Sequence, residues 1–241
     1  MHQNKESLVE IKKGQFGTGL LIENDGFISL SETEDNRKLM ESYIKEDVDG
    51  HQVRHVPRPF IVDAVFQKCD VKNANGRIYP ESVLKRQVEL YQTLIREHRA
   101  LGQLNHPAES EIDLGRVSHN ILELKWIGKT LVGKMELNIT DGFANHGIVS
   151  SCGDSVANLL LNGYKIGVSS RGVGSVENKM GQSIVGNDFE LICWDVVSTP
   201  STPGAWISQS DGSDLKQYVE SDQSKEKVID ERIQKMKEIL S

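Results

Sequence analysis

The sequence predicts an α+β fold with a mainly antiparallel sheet or barrel, and three observations carry that expectation. Runs with period-two apolar alternation recur between Pro59 and Ser198, two of them adjacent enough to form a hairpin. Two stretches with helical apolar spacing interrupt these runs. At 241 residues the chain is one moderate domain with appendages, large enough to bury a core without metal or disulfide staples.

Taken in order, residues 1–58 read as an N-terminal extension. They contain a short apolar run, Gly19-Leu20-Leu21-Ile22, an acidic run from Ser31 to Asp35, and a short helix expected near Arg37–Lys45. Proline-punctuated His51–Pro59 reads as a linker into the main domain, residues 59–209. There Phe60, Val62, Ala64 and Phe66 share one face of a strand. Asn73-Ala74-Asn75-Gly76-Arg77 supplies residues tolerant of left-handed backbone, hence a turn. Pro80 opens a helix whose stripe is Leu84, Val88, Tyr91 and Ile95, and which carries the chain towards Gly102.

A hairpin follows, with Leu122, Leu124 and Trp126 alternating in one strand and Leu131, Gly133, Met135, Leu137 and Ile139 in the other. A second helix is expected over about Ala144 to Asn162, with Val149, Cys152, Val156 and Leu160 inward, although Gly147 and Gly153 weaken it. Gly163 sits where a helix terminator belongs. Two further strands are expected at Tyr164–Val176 and Phe189–Ser198. The tail, residues 210–241, is highly charged and carries Ile229, Ile233, Met236 and Leu240 at helical spacing.

A formal net charge of −7 argues against a dedicated nucleic-acid binder. Cys69, Cys152 and Cys193 are odd in number and widely spaced, which points to a reducing compartment. The polar N-terminus lacks an apolar leader and no apolar run is long enough for a bilayer, so a soluble intracellular protein is expected, with no membrane partner. HExxH, P-loop, paired Cys/His and Gly-x-Ser-x-Gly patterns are absent, which leaves metal-assisted and nucleotide hydrolysis without support. No metal and no cofactor is expected.

Four residues attract attention on chemical grounds. Ser170 continues the row Ile166, Val168, and Gly172 and Gly174 leave space beside it; the alternative is a strand end that turns through small residues. His106, in a loop punctuated by Pro107, could serve as a general base or simply be solvated. His119 competes with it, but shares a face with Val117 and Ile121 and reads as a core histidine. Asp195 places a carboxylate in the row Phe189, Leu191, Cys193, Asp195, Val197. Buried there it needs a partner, for which an imidazole is fitting; the alternative is a structural salt bridge or an Asp at the strand edge.

Short motifs in fixed order resemble the prohead (capsid maturation) proteases of tailed bacteriophages, the T4-like type. They are Asn73-Ala74-Asn75-Gly76-Arg77-Ile78-Tyr79-Pro80, Gly102-Gln103-Leu104-Asn105-His106-Pro107, Val168-Ser169-Ser170-Arg171-Gly172, Asp195-Val196-Val197-Ser198-Thr199-Pro200-Ser201 and Pro203-Gly204-Ala205. The wider clan includes the herpesvirus assemblins, which implies a mainly antiparallel β-barrel surrounded by helices. Leu114-Gly115-Arg116-Val117 resembles the assemblin segment after the His motif. The resemblance implies a serine endopeptidase with His106 as base, Ser170 as nucleophile and Asp195 as third member, Ser169 being the alternative nucleophile. It implies oxyanion or substrate contacts from Gly172, Gly204 and Arg171. It also implies action inside the procapsid, within the host cytoplasm, on scaffold and capsid propeptides, with self-association as a dimer or higher.

The flanks then become a propeptide-like segment and a tether. Leu8-Val9-Glu10, Leu39-Met40-Glu41 and Ile229-Asp230-Glu231 fit the glutamate preference of the T4-like enzymes and would be self-cleavage sites. The competing expectation is a non-enzymatic procapsid scaffold module of the same fold.

Overall fold

The structure is a computed structural model that describes residues 9–12, 15–22, 44–46, 49–50, 52–107, 109–202, 204 and 207–208. Its class is α+β and strand-rich. The first sheet contains β1 (Gly17–Ile22), β5 (Arg77–Ile78), β9 (Gly167–Lys179), β10 (Gln182–Val185) and β11 (Glu190–Val197). The second runs β12 (Ile207–Ser208), β4 (Phe60–Lys68), β8 (Thr130–Leu137), β7 (Val117–Ile127) and β6 (Leu101–Gln103). A separate pair joins β2 (Ile44–Glu46) to β3 (Gln52–Arg54). Among the described residues the α-helices are α1 (Glu81–Arg96), α2 (Asp141–His146) and α3 (Cys152–Leu161).

Backbone contacts among the described residues link the sheets. Leu104 forms a parallel bridge with Val196, next to β6 and β11, and the Ile207 amide donates to the Ile166 carbonyl at 3.2 Å. The larger core lies between the sheets, α1 and α3, around Phe66, Tyr91, Ile121, Leu131, Met135, Val156, Val168 and Trp194. Trp194 meets Phe66 and Tyr91 edge to face, with centroids 5.5 and 5.1 Å apart, a favoured arrangement of the ring quadrupoles. A second core gathers Ile11, Leu21, Tyr79, Leu84, Val176 and Phe189.

The strand and helix beginning at Phe60 and Pro80 form as their spacing predicts. Pro80 caps α1, which buries Val83, Leu84, Gln87, Val88 and Tyr91. The hairpin forms too, with Gly128 and Lys129 as a two-residue turn between Ile127 and Thr130. A register shift between Ile121 and Glu123 reverses the parity of β7, so Ile121 and Leu124 both face inward.

The expected helix over 144–162 is two helices. Gly147, left-handed at φ 68°, ends α2. Ser151 and Asp154 then form a capping box that starts α3. Val149, expected inward, lies in the connection and is exposed.

The N-terminal boundary at residue 58 does not coincide with a structural break. β1 pairs with β9 from Gly17–Val176 to Ile22–Arg171, and Leu20 and Leu21 have no solvent exposure. Ile44–Glu46 is a strand where the end of a helix was expected, and the expected linker contains β3 and the buried Val56. The acidic run, most of the Arg37–Lys45 segment and the charged tail lie outside the described residues, as do the second and third glutamate triplets.

Candidate active site

His106 reaches the site through a chain reversal just after β6. The sequence allows β6 to lie close to its neighbours because residue 102 is glycine. A Cβ there would lie 2.2 Å from the Trp194 carbonyl oxygen and 2.3 Å from His119 Nε2. Leu104 then bridges Val196, the Asn105 amide donates to the Val196 carbonyl at 2.8 Å, and Asn105 turns the chain at φ 65°. Asparagine tolerates that left-handed conformation better than most residues. The turn delivers His106 to the carboxylate one residue before Val196.

Asp195 is the hub. Its Oδ2 accepts from His106 Nδ1 at 2.8 Å and from Arg171 Nε at 2.8 Å. Its Oδ1 accepts from the Gln103 amide at 2.9 Å, from Cys193 Sγ at 3.3 Å and from Arg171 Nη2 at 3.3 Å. Burial alone would raise its pKa. The hydrogen bonds from His106 and Arg171, with the charge of Arg171, outweigh burial and bring it down to about 2. With Nδ1–H donated to the carboxylate, the lone pair of His106 is on Nε2. That atom is buried and makes no hydrogen bond among the described residues.

The β9–β11 register decides which serine accompanies this pair. Asp195 lies opposite Ser169, Trp194 opposite Ser170, and Cys193 opposite Arg171. Residues directly opposite in an antiparallel ladder project to the same face. Ser169, Arg171, Cys193 and Asp195 therefore share one face. The Arg171 contacts to Asp195 and to Cys193 Sγ agree with this. Ser170 shares the other face with Val168, Trp194 and Val196, all part of the larger core. Ser170 thus stands on the face opposite to Asp195, contrary to the expectation that joined them. Its apolar row, legible in the sequence, is the row that enters the core.

Of the three expected oxyanion or substrate contacts, Arg171 and Gly172 are engaged within the protein. Arg171 is wholly buried and bound to Asp195, Gln103, Cys193 and loop carbonyls, so its donors face the protein rather than a substrate. Gly172 is paired on both sides, with Leu21 and with Leu191. A Cβ on it would meet the Phe189 ring at 2.5 Å and the Glu190 carbonyl at 2.6 Å, which is why glycine is required. Gly204 adopts φ 79° in a loop whose neighbours at 203, 205 and 206 lie outside the described residues.

His119 is fully buried. Its Nδ1 contacts Ser118 Oγ at 2.9 Å, and Nε2 donates to the Trp194 carbonyl at 3.2 Å. Burial lowers its pKa to about 4, against the weaker opposing pull of Asp195, so it stays neutral. The Cys193 thiol is pushed well up by burial and by Asp195, which leaves little thiolate. Among the described residues one trio, Cys69, Asp70 and Glu81, brings metal-type atoms within 4.8 Å. Lys129 and Lys85 already pair with its carboxylates, and the Cys69 thiol is raised to about 11, chiefly by burial.

The Arg171 and Gln103 contacts to Asp195 were not anticipated. The sequence signalled only that Asp195 needed a partner, and a nearby buried cation was one of the two ways to supply it.

A family model described as "Prohead core protein serine protease" matches residues 20–216. The prohead core protein protease of Enterobacteria phage T4 is 33% identical over 184 residues, covering 74% of this chain and 81% of that protein. Among solved structures, the bacteriophage T4 capsid assembly protease, gp21, superposes with a TM-score of 0.52 at 23% identity. The match covers 76% of this chain and 97% of that one.

Proposed function

This chain belongs to the prohead core protein serine protease family, and we propose that it is the maturation protease of a phage procapsid. It cuts scaffold and capsid-protein propeptides by an acyl-enzyme route. Ser169 is the nucleophile, His106 the general base and Asp195 the carboxylate that orients the imidazole. The observation that carries this reading is the 2.8 Å His106–Asp195 hydrogen bond on the strand face that Ser169 shares.

The chemistry follows from proton positions. Asp195 holds the tautomer with hydrogen on Nδ1, so Nε2 can take the Ser169 Oγ proton as Oγ attacks the scissile carbonyl. The imidazolium, stabilised by the adjacent carboxylate, then returns that proton to the leaving amine. Water repeats the cycle on the acyl ester: its oxygen attacks the acyl carbon as Nε2 takes its proton, and Nε2 returns that proton to Oγ as the C–Oγ bond breaks, which releases the acid and restores Ser169. The Oγ–Nε2 hydrogen bond is the contact left to form, and such contacts tighten when substrate binds.

The architecture fits a barrel of the herpesvirus-protease type. The Leu104–Val196 bridge and the Ile207–Ile166 hydrogen bond are the seams that would close the two sheets into one. Capsid and scaffold proteins are the substrates, and self-association is the proposed means of switching the enzyme on.

Procapsids assembled with single variants test the nucleophile. Ser169→Ala should leave scaffold and capsid propeptides uncut on a gel, whereas Ser170→Ala should process them. Processing by Ser169→Ala would contradict the assignment, and processing by neither parent nor variant would favour a scaffold module.

A further inference from the structure

We propose that Arg171 is the positioning residue of this site, clamping both flanks of the His106 loop to the Asp195 carboxylate. This role rests on the reading of Ser169, His106 and Asp195 as the catalytic set. The guanidinium is wholly buried, and its donors divide between two targets. Nε and Nη2 reach the two oxygens of Asp195 at 2.8 and 3.3 Å. Nη2 also reaches Gln103 Oε1 at 2.6 Å, before His106 in the chain, and Cys193 Sγ at 3.2 Å. Nη1 donates to the carbonyls of Glu109 at 2.5 Å and Glu111 at 3.2 Å, after it.

One planar cation therefore fixes the loop that presents the base, the carboxylate that orients it and, two residues along β9, the strand position of Ser169. A lysine ammonium could keep the charge but not this fork of parallel donors. A buried ion pair by itself says little about stability. The contacts to the Glu109 and Glu111 carbonyls on one side of His106 and to Gln103 on the other are what a positioning role requires.

The ionisable groups facing Asp195 are His106 from the loop, Arg171 from β9, Cys193 on β11 itself, His119 from β7 and Tyr91 from α1. Arg171 is the permanent cation among them; buried His119 is neutral and Tyr91 and Cys193 stay protonated. Without Arg171, burial would act on the carboxyl with less opposition. Asp195 would then take a proton at higher pH and lose its hold on Nδ1–H.

The test is inactivation of the full chain by a fluorophosphonate, read as maximal rate, half-saturation and pH profile. Arg171→Met should lower the maximal rate by about 10²-fold or more, with half-saturation within about threefold, and move the acid limb to higher pH. Arg171→Lys should recover part of the rate. Asp195→Asn should slow inactivation strongly, and adding Arg171→Met to it should cost less than about threefold more, because both act through one carboxylate. Losses that multiply in the double variant, or a folded Arg171→Met chain that reacts at the parent rate while Asp195→Asn is slow, would overturn the role. If Asp195→Asn itself reacts at the parent rate, the catalytic reading falls and takes this one with it. Should Arg171→Met fail to fold, Arg171→Lys, alone and added to Asp195→Asn, decides by the same criteria.

Discussion

Asp195 has no solvent exposure and is ionised, because five donors replace the water it has lost. Its low pKa and that of His119 set how stability depends on pH. Between about 6.5 and 4 the unfolded chain protonates His119 while the folded one does not, so stability falls as pH falls through that window. Asp195 adds a second loss lower down: its contribution is complete above its unfolded pKa near 4 and disappears as pH approaches about 2. Urea unfolding between pH 7 and 4 should show the first slope, at most about 1.4 kcal/mol per pH unit from one proton. His119→Gln, which keeps a donor for the Trp194 carbonyl, should flatten it; an unchanged slope would assign the acid lability elsewhere. At this scale the sequence showed that Asp195 needed a partner and that His106 could be one. It favoured Ser170 over Ser169, whereas the strand register puts Ser169 on the face of Asp195. Alternation within β9 is visible in the sequence, but the β9–β11 register is a relation between two segments separated by a hairpin.

Local elements followed their residue patterns where those patterns were uninterrupted. α1 and the two-residue turn of the β7–β8 hairpin are the clear cases, with the period and the turn both in the sequence. The departures have local causes. A bulge moves one residue out of step in β7, and the short strands β5, β6, β10 and β12 carry too few residues for a period to be seen. The divided helix depends on Asp154, whose carboxylate accepts from the Thr140 amide at 2.7 Å, the Ser150 amide at 2.9 Å and the Ser151 amide at 2.9 Å. It also accepts from the Thr140 and Ser150 hydroxyls at 3.0 and 3.1 Å. Burial opposes its ionisation, and these hydrogen bonds more than offset that. One side chain thus caps α3 and fixes the residue that caps α2. Asp154→Ala should destabilise the protein by about 2–4 kcal/mol, measured by denaturant unfolding, which is more than a single cap contributes. A loss below about 0.5 kcal/mol would show that the two helix starts are held by other contacts.

At the scale of the whole molecule, the chain that looked like a preface is partly structural. The Val9 carbonyl and the Ile11 amide are both hydrogen-bonded to Leu20 at 3.0 Å, Ile11 enters the second core, and β1 lies along β9. A chain beginning at residue 59 should therefore fail to give a cooperative thermal transition, whereas one beginning at residue 9 should keep it. Folding of the shorter chain would restore the boundary that composition suggested. The alternation that marks Leu20 and Leu21 as strand was too short to read, and their partner lies some 150 residues away, beyond any local pattern.

The three residues of the proposed catalytic set are also far apart in sequence, so mapping one covalent adduct tests the account most directly. After reaction with a fluorophosphonate and digestion with trypsin, fragmentation of the peptide spanning residues 166–171 separates adducts on Ser169 from those on Ser170. The adduct should lie on Ser169 and be lost in His106→Ala. An adduct on Ser170, or one that persists at the parent rate without His106, would contradict the assignment.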